Sequence, residues 1–312
     1  MYYFLLILSL IFLFYLLGKF ADLVVVNVRK LGEELDIKVF FLGIILGLFT
    51  SLPELSLGIN SFIDGLQQMS LGNLLGGVII LFTLILGGSV IINRKISTHE
   101  ILNDIAPILL FLLLPITLGL RGSLGLVDGI IIIISYVILV IYLFKKNNHI
   151  TTFGIHIANK KETIKRIGYI VVGVILVMFT SNFIIDVIER LIAHFNLPVF
   201  LVGLLFFAIG TNLPEITLVV RSWLRGAEDL SLSNLFGSAM ANILLIGIFI
   251  SMREMTVPVN MSYIVLVVMY ALIFLLLIIF ARTNKEFKRL EGFILLVLYI
   301  LFLLTQGFLF LR

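Results

Sequence analysis

Thr50-Ser51-Leu52-Pro53-Glu54 returns later in the chain as Thr211-Asn212-Leu213-Pro214-Glu215, and Ser70-Leu71-Gly72-Asn73-Leu74 returns as Ser231-Leu232-Ser233-Asn234-Leu235. Both pairs share one offset, because 215 − 54 and 234 − 73 each give 161. Gly65 with Gly226 and Gly76 with Gly237 keep the same spacing, so the register holds from Thr50 through Gly76. Accident does not produce a fixed register of this kind, and the chain reads as an internal duplication.

The surroundings of the repeat decide the solvent. Of 312 residues, 61% are hydrophobic and 13% charged, about half the charged share of a soluble domain. Runs such as Ile130 to Leu143 are apolar on every side, which excludes a water-soluble fold and the alternating pattern of a membrane barrel. No strand period is evident. The apolar residues suffice for about nine or ten bilayer-spanning helices at ~20 residues each.

Apolar runs between charged and Gly/Pro punctuation place ten spans near residues 2–28, 38–66, 69–92, 100–120 and 126–144, then 164–189, 198–225, 229–252, 259–281 and 290–311. The first run leads into a longer helical pattern and has no positive residue ahead of it, unlike a cleaved signal. The expected fold is therefore an all-α polytopic membrane protein, with a first five-helix repeat at 1–145, a linker at 146–163 and a second repeat at 164–312. An odd number of spans per half turns the second half upside down, giving inverted-topology repeats of the kind found in secondary transporters.

Lys and Arg are distributed unevenly among the loops. Those after spans 1, 3, 5, 7 and 9 carry 17, against four on the other side (Arg121, Arg190, Arg253 and Arg312), with Lys19 inside span 1. That bias puts the odd-numbered loops in the cytoplasm of a plasma or inner membrane and both termini outside. With zero cysteines, disulfides, thiolate metal sites and cysteine nucleophiles are excluded, and the compartment is left open.

Glu54 and Glu215 fall midway along spans 2 and 7. A carboxylate at that depth costs a few kcal/mol unless it faces a partner, a cavity or an ion. Pro53 and Pro214 each remove an N–H and crowd the carbonyl four residues back, and they push Leu52 and Leu213 away from helical geometry. Each helix is expected to break, with the Thr-Ser/Asn-Leu stretch unwound and its carbonyls freed. Irregular backbone at this depth lines a cavity or is buried, and carboxylate, hydroxyl and carbonyl oxygens are the ligands of hard cations. Two carboxylates match one divalent ion. The bland alternative is a protonated glutamate hydrogen-bonded within the bundle.

Spans 3 and 8 supply the adjoining face. Asn234, Ser238 and Asn242 are spaced four and four along one helical stripe, whereas the equivalents in span 3 are Asn73, Gly77 and Leu81, so the site is asymmetric. Asn73 and Asn234 have an alternative role in interhelical hydrogen bonding with small-residue packing. Asp22 and Asp186 lie near span ends, where pairing or solvation is ordinary. His99, His149, His156 and His194 form no metal-ligand spacing, and the basic run Lys160–Arg166 reads as a solvated loop near lipid headgroups. No HExxH, GxSxG or Walker pattern supports an enzyme.

The paired T-[SN]-L-P-E and [GS]-N-x-x-G-[SG] motifs, on ten spans in two inverted halves, resemble the cation/Ca²⁺ antiporter superfamily, nearest its sodium/calcium exchanger branch. The resemblance implies a Ca²⁺ site made by Glu54, Glu215, Thr50 and Thr211, with carbonyls from Gly47 and Ala208 and an outer Na⁺ ligand in Ser238. Ser51, Asn212, Asn73, Asn234 and Asn242 complete the candidate oxygen set. Gly77 and Leu81 depart from the pattern, as do Phe49 before Thr50 and Ser233 before Asn234, and an inner Na⁺ position loses its hydroxyl. The implied activity is exchange of Ca²⁺ for Na⁺ or H⁺ by alternating access, with spans 1 and 6 sliding across the site held by spans 2, 3, 7 and 8. The alternatives are exchange of Mg²⁺ or Mn²⁺, or a cation-binding membrane subunit that does not transport. No tightly bound cofactor, nucleic acid or obligate protein partner is expected; the partners are membrane lipids and inorganic cations.

Overall fold

The computed structural model describes residues 2–34, 39–97, 104–146, 160–195, 197–213, 215–216, 228–282 and 286–310. The expected linker falls mostly at residues 147–159, outside this set, together with Pro214, most of the second half of span 7, three of the four histidines and Arg312.

The helices are α1 (Tyr2–Glu34), α2 (Val39–Thr50), α3 (Leu52–Ile63), α4 (Gln67–Asn93), α5 (Ile105–Gly119) and α6 (Leu126–Lys146) in the first part of the chain. They continue with α7 (Lys160–Phe195), α8 (Val199–Thr211), α9 (Glu228–Met252), α10 (Met261–Arg282) and α11 (Arg289–Phe310). Among the described residues, seven are long and apolar enough to cross a bilayer, the bent pair α2–α3 makes an eighth, and α5 and α8 are shorter apolar helices. With ~20 residues needed per span, the chain is an integral membrane protein. The outward faces of α1, α6, α7 and α11 carry exposed Leu, Ile, Val and Phe, as a lipid-facing surface requires.

Long helices α1 and α7 pack against each other and lie beside the rest of the bundle. Their registry is fixed by an Arg166–Glu34 ion pair at 2.8 Å and by Gly173, whose missing Cβ leaves room for Val24 and the Phe20 carbonyl. This pairing carries α1 to Glu34, six residues beyond the expected end at 28, so Asp22 lies in the helix interior and not near its end. His194 stacks on Tyr3, with ring centroids 3.6 Å apart.

At the centre are α4 and α9, the most enclosed of the helices. α9 packs on α2, α4, α5 and α6, while α4 packs on α3, α8 and α9. Glycine lets backbones meet at these crossings. A Cβ on Gly87 of α4 would lie 2.9 Å from the Gly292 carbonyl of α11, and one on Gly129 of α6 would lie 2.6 Å from the Gly247 carbonyl of α9.

Among the described residues, four short strands correct the expectation of a chain without any: β1 (Lys95–Ser97) pairs antiparallel with β4 (Glu286–Lys288), and β2 (Ser123–Leu124) with β3 (Met255–Thr256). Two or three residues carry no legible period, and the pairing satisfies backbone groups just beyond the helix ends. Two π-helical turns, Leu81–Ile85 in α4 and Gly203–Phe207 in α8, were also not foreseen. Each inserts a residue into a helix that the sequence reads as uniform, and such insertions cluster at functional sites.

A buried cluster of two carboxylates and neutral oxygens

The break in span 2 is shorter than the sequence implies. Only Ser51 separates α2 from α3, with φ −81° and ψ 12°, and the axes bend by 42°. Its N–H reaches Gly47 O at 3.2 Å, and its own carbonyl accepts from Leu55 N–H at 3.0 Å. Thus the expected unwound stretch is a single residue, because Pro53 sits at the second position of α3, where a helix tolerates its missing N–H. Asn212 plays the same part after α8, with φ −82° and ψ 11°, and its carbonyl accepts from Ile216 N–H at 3.1 Å.

All twelve candidate oxygen donors are buried, and the two glutamates are each only 1% exposed. The bend turns Glu54 inward to face Glu215 and Thr211, while Glu215 is flanked by Thr50 and Ser238. Each threonine therefore serves the carboxylate of the other half. Thr50 Oγ1 donates to Gly47 O at 3.1 Å and shares a 2.8 Å hydrogen bond with Ser238 Oγ. Thr211 Oγ1 donates to Asn73 Oδ1 at 3.1 Å. The carbonyls of Gly47 and Ala208 accept from the side chains four residues on, Ser51 Oγ at 2.9 Å and Asn212 Nδ2 at 2.7 Å.

What remains unsatisfied defines what the cluster can bind. Both carboxylate oxygens of Glu54, Oε2 of Glu215, Oδ1 of Asn212 and both amide atoms of Asn234 and Asn242 are buried without a hydrogen-bond partner. Leaving one polar atom in that condition costs about 1–3 kcal/mol, more when charged. An oxygen-rich, anionic cluster of this kind fits a hard cation, with no nitrogen or sulfur ligand to favour a soft one. Asn234 lies one turn before Ser238 on α9, on the stripe that Asn242 continues.

Close approach of backbones builds the walls. A Cβ on Gly47 would run into the carbonyl carbon of Gly237 and the amide of Ser238, so α2 meets α9 where Thr50 meets Ser238. Gly76 admits Ala208, whose Cβ would be 2.9 Å from an added Cβ there. At Gly77 an added Cβ would lie 2.8 Å from Asn242 Nδ2 and 3.2 Å from Asn212 Nδ2. The notch read in the sequence as a lost ligand is thus filled by two carboxamides. The 161-residue offset marks this asymmetry by setting Gly77 opposite Ser238, but says nothing of which side chains fill it. Below the cluster, Ser56 Oγ, Ser181 Oγ and Asn60 Nδ2 form a polar seam between α3 and α7, at 2.5 and 2.8 Å, that the sequence reading did not pick out.

Bent helices in a bilayer-spanning bundle, closing on two buried carboxylates with neutral oxygens around them, define the class of ion-translocating membrane proteins. The sodium/calcium exchanger protein family matches residues 5–145 and 165–308, and the chain belongs to it. Among its relatives, the putative antiporter CaxA of Alkalimonas amylolytica is 25% identical over 90% of this chain and 92% of its own length. The sodium/calcium exchanger MaX1 of Methanosarcina acetivorans is 34% identical over 35% of this chain and 31% of its own. Structures of the sodium-calcium exchanger NCX_Mj soaked with Na⁺ and Sr²⁺ share the fold, with a TM-score of 0.69 at 24% identity in one case and 0.70 at 23% in another. Each of these comparisons covers 95% of this chain and 97% of that one.

Proposed function

We propose that this protein is a secondary antiporter exchanging Ca²⁺ for Na⁺, or for H⁺, by alternating access. The observation that carries the reading is the pair Glu54 and Glu215, buried facing one another with both carboxylate oxygens of Glu54 and Oε2 of Glu215 lacking a hydrogen-bond partner. A dicarboxylate in low dielectric crosses the membrane at lower cost when neutralised than when empty, and that requirement couples the cargoes. Ca²⁺ is held centrally by Glu54, Glu215, Thr50 and Thr211, with Gly47 and Ala208 contributing carbonyls. Na⁺ uses the flanking oxygens, Ser238 foremost.

Ten spans in two inverted halves, 1–145 and 164–312 joined by a linker at 146–163, form the frame of this reading. Its support is contact symmetry. Applying the 161-residue offset to the pair β1·β4 yields β3·β2 within two residues, and applying it to the crossing Gly87·Gly292 yields Gly247·Gly129 equally closely. The lysine and arginine bias puts both termini outside a plasma or inner membrane.

Ca²⁺ uptake into proteoliposomes under separately imposed Na⁺ and H⁺ gradients tests the proposal. Flux driven by one gradient establishes exchange and names the counter-ion, and competition with Mg²⁺ and Mn²⁺ identifies the divalent cargo. Ca²⁺ binding without flux of any divalent ion refutes the antiporter in favour of a non-transporting cation-binding protein.

A further inference from the structure

We propose that the short ladder β1·β4 binds the headgroup of an anionic phospholipid. Its middle rung pairs Ile96 with Phe287, and both side chains are buried. That apolar pair anchors the ladder in the core. Successive residues of a strand point to opposite sides, so the rungs on either side of it turn outward. One of them sets Lys95 directly opposite Lys288. Side chains so placed stand about 5 Å apart, and like charges there are destabilising. Continuing the register by one residue sets Arg94 opposite Arg289. Arg94 holds φ at +67°, the one non-glycine with a positive φ among the described residues, and strain of this kind gathers at ligand clamps. The ion pairs and hydrogen bonds of the described residues set two acids against these four cations. Glu286 Oε2 lies 3.8 Å from Lys95 Nζ, and Glu291 Oε2 accepts the Lys288 N–H at 2.7 Å. Four positive charges less two negative leave a surplus of two for an anion to meet.

The duplication supplies its own comparison. Adding 161 to Lys95 gives Thr256, whose partner across β2·β3 is Ser123. The other copy of the ladder therefore closes on two neutral hydroxyl residues, and the pairing itself requires no lysine. The bias of basic residues among the loops accounts for their sign on this side, but not for two of them sharing a rung. The ladder begins where α4 ends at Asn93 and α11 starts at Arg289, which is headgroup level for helices that span a bilayer. Beyond it α11 offers an apolar outer face, with Leu290 and Phe293 exposed and the Arg289 guanidinium 5.9 Å from the centre of the Phe293 ring. A phosphate on the rung relieves the repulsion, and acyl chains cover that face. A free phosphate would do only the first, so the occupant is a lipid. Binding there depends on the membrane fold alone and stands or falls apart from Ca²⁺ exchange.

The test uses the full chain in a neutral detergent, titrated with dioleoylphosphatidylglycerol or dioleoylphosphatidylcholine and followed by native mass spectrometry and by thermal unfolding. The anionic lipid is expected to be retained over the neutral one and to raise the unfolding temperature. Lys95→Gln with Lys288→Gln is expected to weaken its binding about 30-fold, while unfolding in neutral lipid at no lower a temperature than the wild type, because the repulsion is gone. Lys145→Gln with Lys165→Gln removes two other exposed charges and is expected to bind like the wild type. Equal retention of the two lipids, unchanged binding in the ladder variant, or an equal loss in the second variant overturns the proposal. A ladder variant that unfolds well below the wild type in neutral lipid assigns the lysines to the fold and overturns it too. Inorganic phosphate that stabilises the protein as far as the anionic lipid does overturns the choice of a lipid. Arg94→Gly keeps the backbone conformation and is expected to raise the unfolding temperature while weakening the anionic lipid about fivefold; wild-type affinity in that variant refutes the part given to Arg94.

Discussion

Gly47→Ala adds one methyl group where α2 crosses α9. The new Cβ would lie 2.7 Å from Gly237 Cα, with the Gly237 carbonyl carbon and Ser238 nitrogen nearer still. Ordinary carbon contacts begin at about 3.5 Å, so the two helices must part by about 1 Å. Both are backbone walls, and no side-chain rotation relieves the overlap. The same displacement stretches the 2.8 Å bond between Thr50 and Ser238 to about 3.8 Å, past the limit of a hydrogen bond. Overpacking costs about 1–3 kcal/mol and the lost bond about 1 kcal/mol, for a combined loss of about 2–4 kcal/mol. The assay is thermal unfolding in detergent, together with Na⁺-driven Ca²⁺ uptake, and both are expected to fall sharply. Gly88→Ala is the control, because nothing lies within 4 Å of an added Cβ there and a helix gains about 0.5–1 kcal/mol from Ala. Wild-type unfolding and uptake in Gly47→Ala would refute the argument that this glycine sets the site's width.

Glu54→Gln and Glu215→Gln are each expected to abolish divalent transport while leaving a folded, monodisperse protein, as size-exclusion chromatography and uptake together would show; wild-type flux in either one sinks the central site. Ser238→Ala removes one hydroxyl from the flank beside Glu215 and is expected to weaken apparent Na⁺ affinity by about fivefold to tenfold, read from the Na⁺ dependence of Ca²⁺ uptake. Ser181→Val strands Ser56 and Asn60 in the α3–α7 seam and is expected to cost about 1–3 kcal/mol, measured as a lower unfolding temperature. Gly77→Ser with Leu81→Asn is expected to displace the Asn212 and Asn242 carboxamides and strengthen Na⁺ dependence, and an unchanged Na⁺ titration counts against the notch.

Much of this arrangement is legible in the residues. The repeated Leu-Pro-Glu announces a broken helix with a buried carboxylate, because proline and charge are both costly inside a membrane helix and only a site repays them. The polar stripe Asn234, Ser238, Asn242 is readable from its spacing alone. Other features depend on how helices meet, which a linear pattern does not carry. Pro53 suggests a longer unwound stretch than the single residue Ser51, since proline at an early helix position breaks nothing further. The π-helical turn at Gly203 lies where α8 presses on α4, the one at Leu81 where α4 meets α11, and no residue type marks either. Gly77 looks like a deletion in the sequence and is occupied space in the fold.

The way α9 is threaded has a consequence for how the protein is made. It packs against α2, α5 and α6, which leave the ribosome long before it. Until the chain beyond α7 arrives, Glu54 has no Glu215 and Asn73 no Thr211 opposite it; until α9 follows, Thr50 has no Ser238, and the glycine faces of α2 and α6 lie open. The part of the chain made first must therefore wait in the bilayer with its costliest carboxylate uncovered. Biogenesis, on this view, is complete only when the second half has closed over the first.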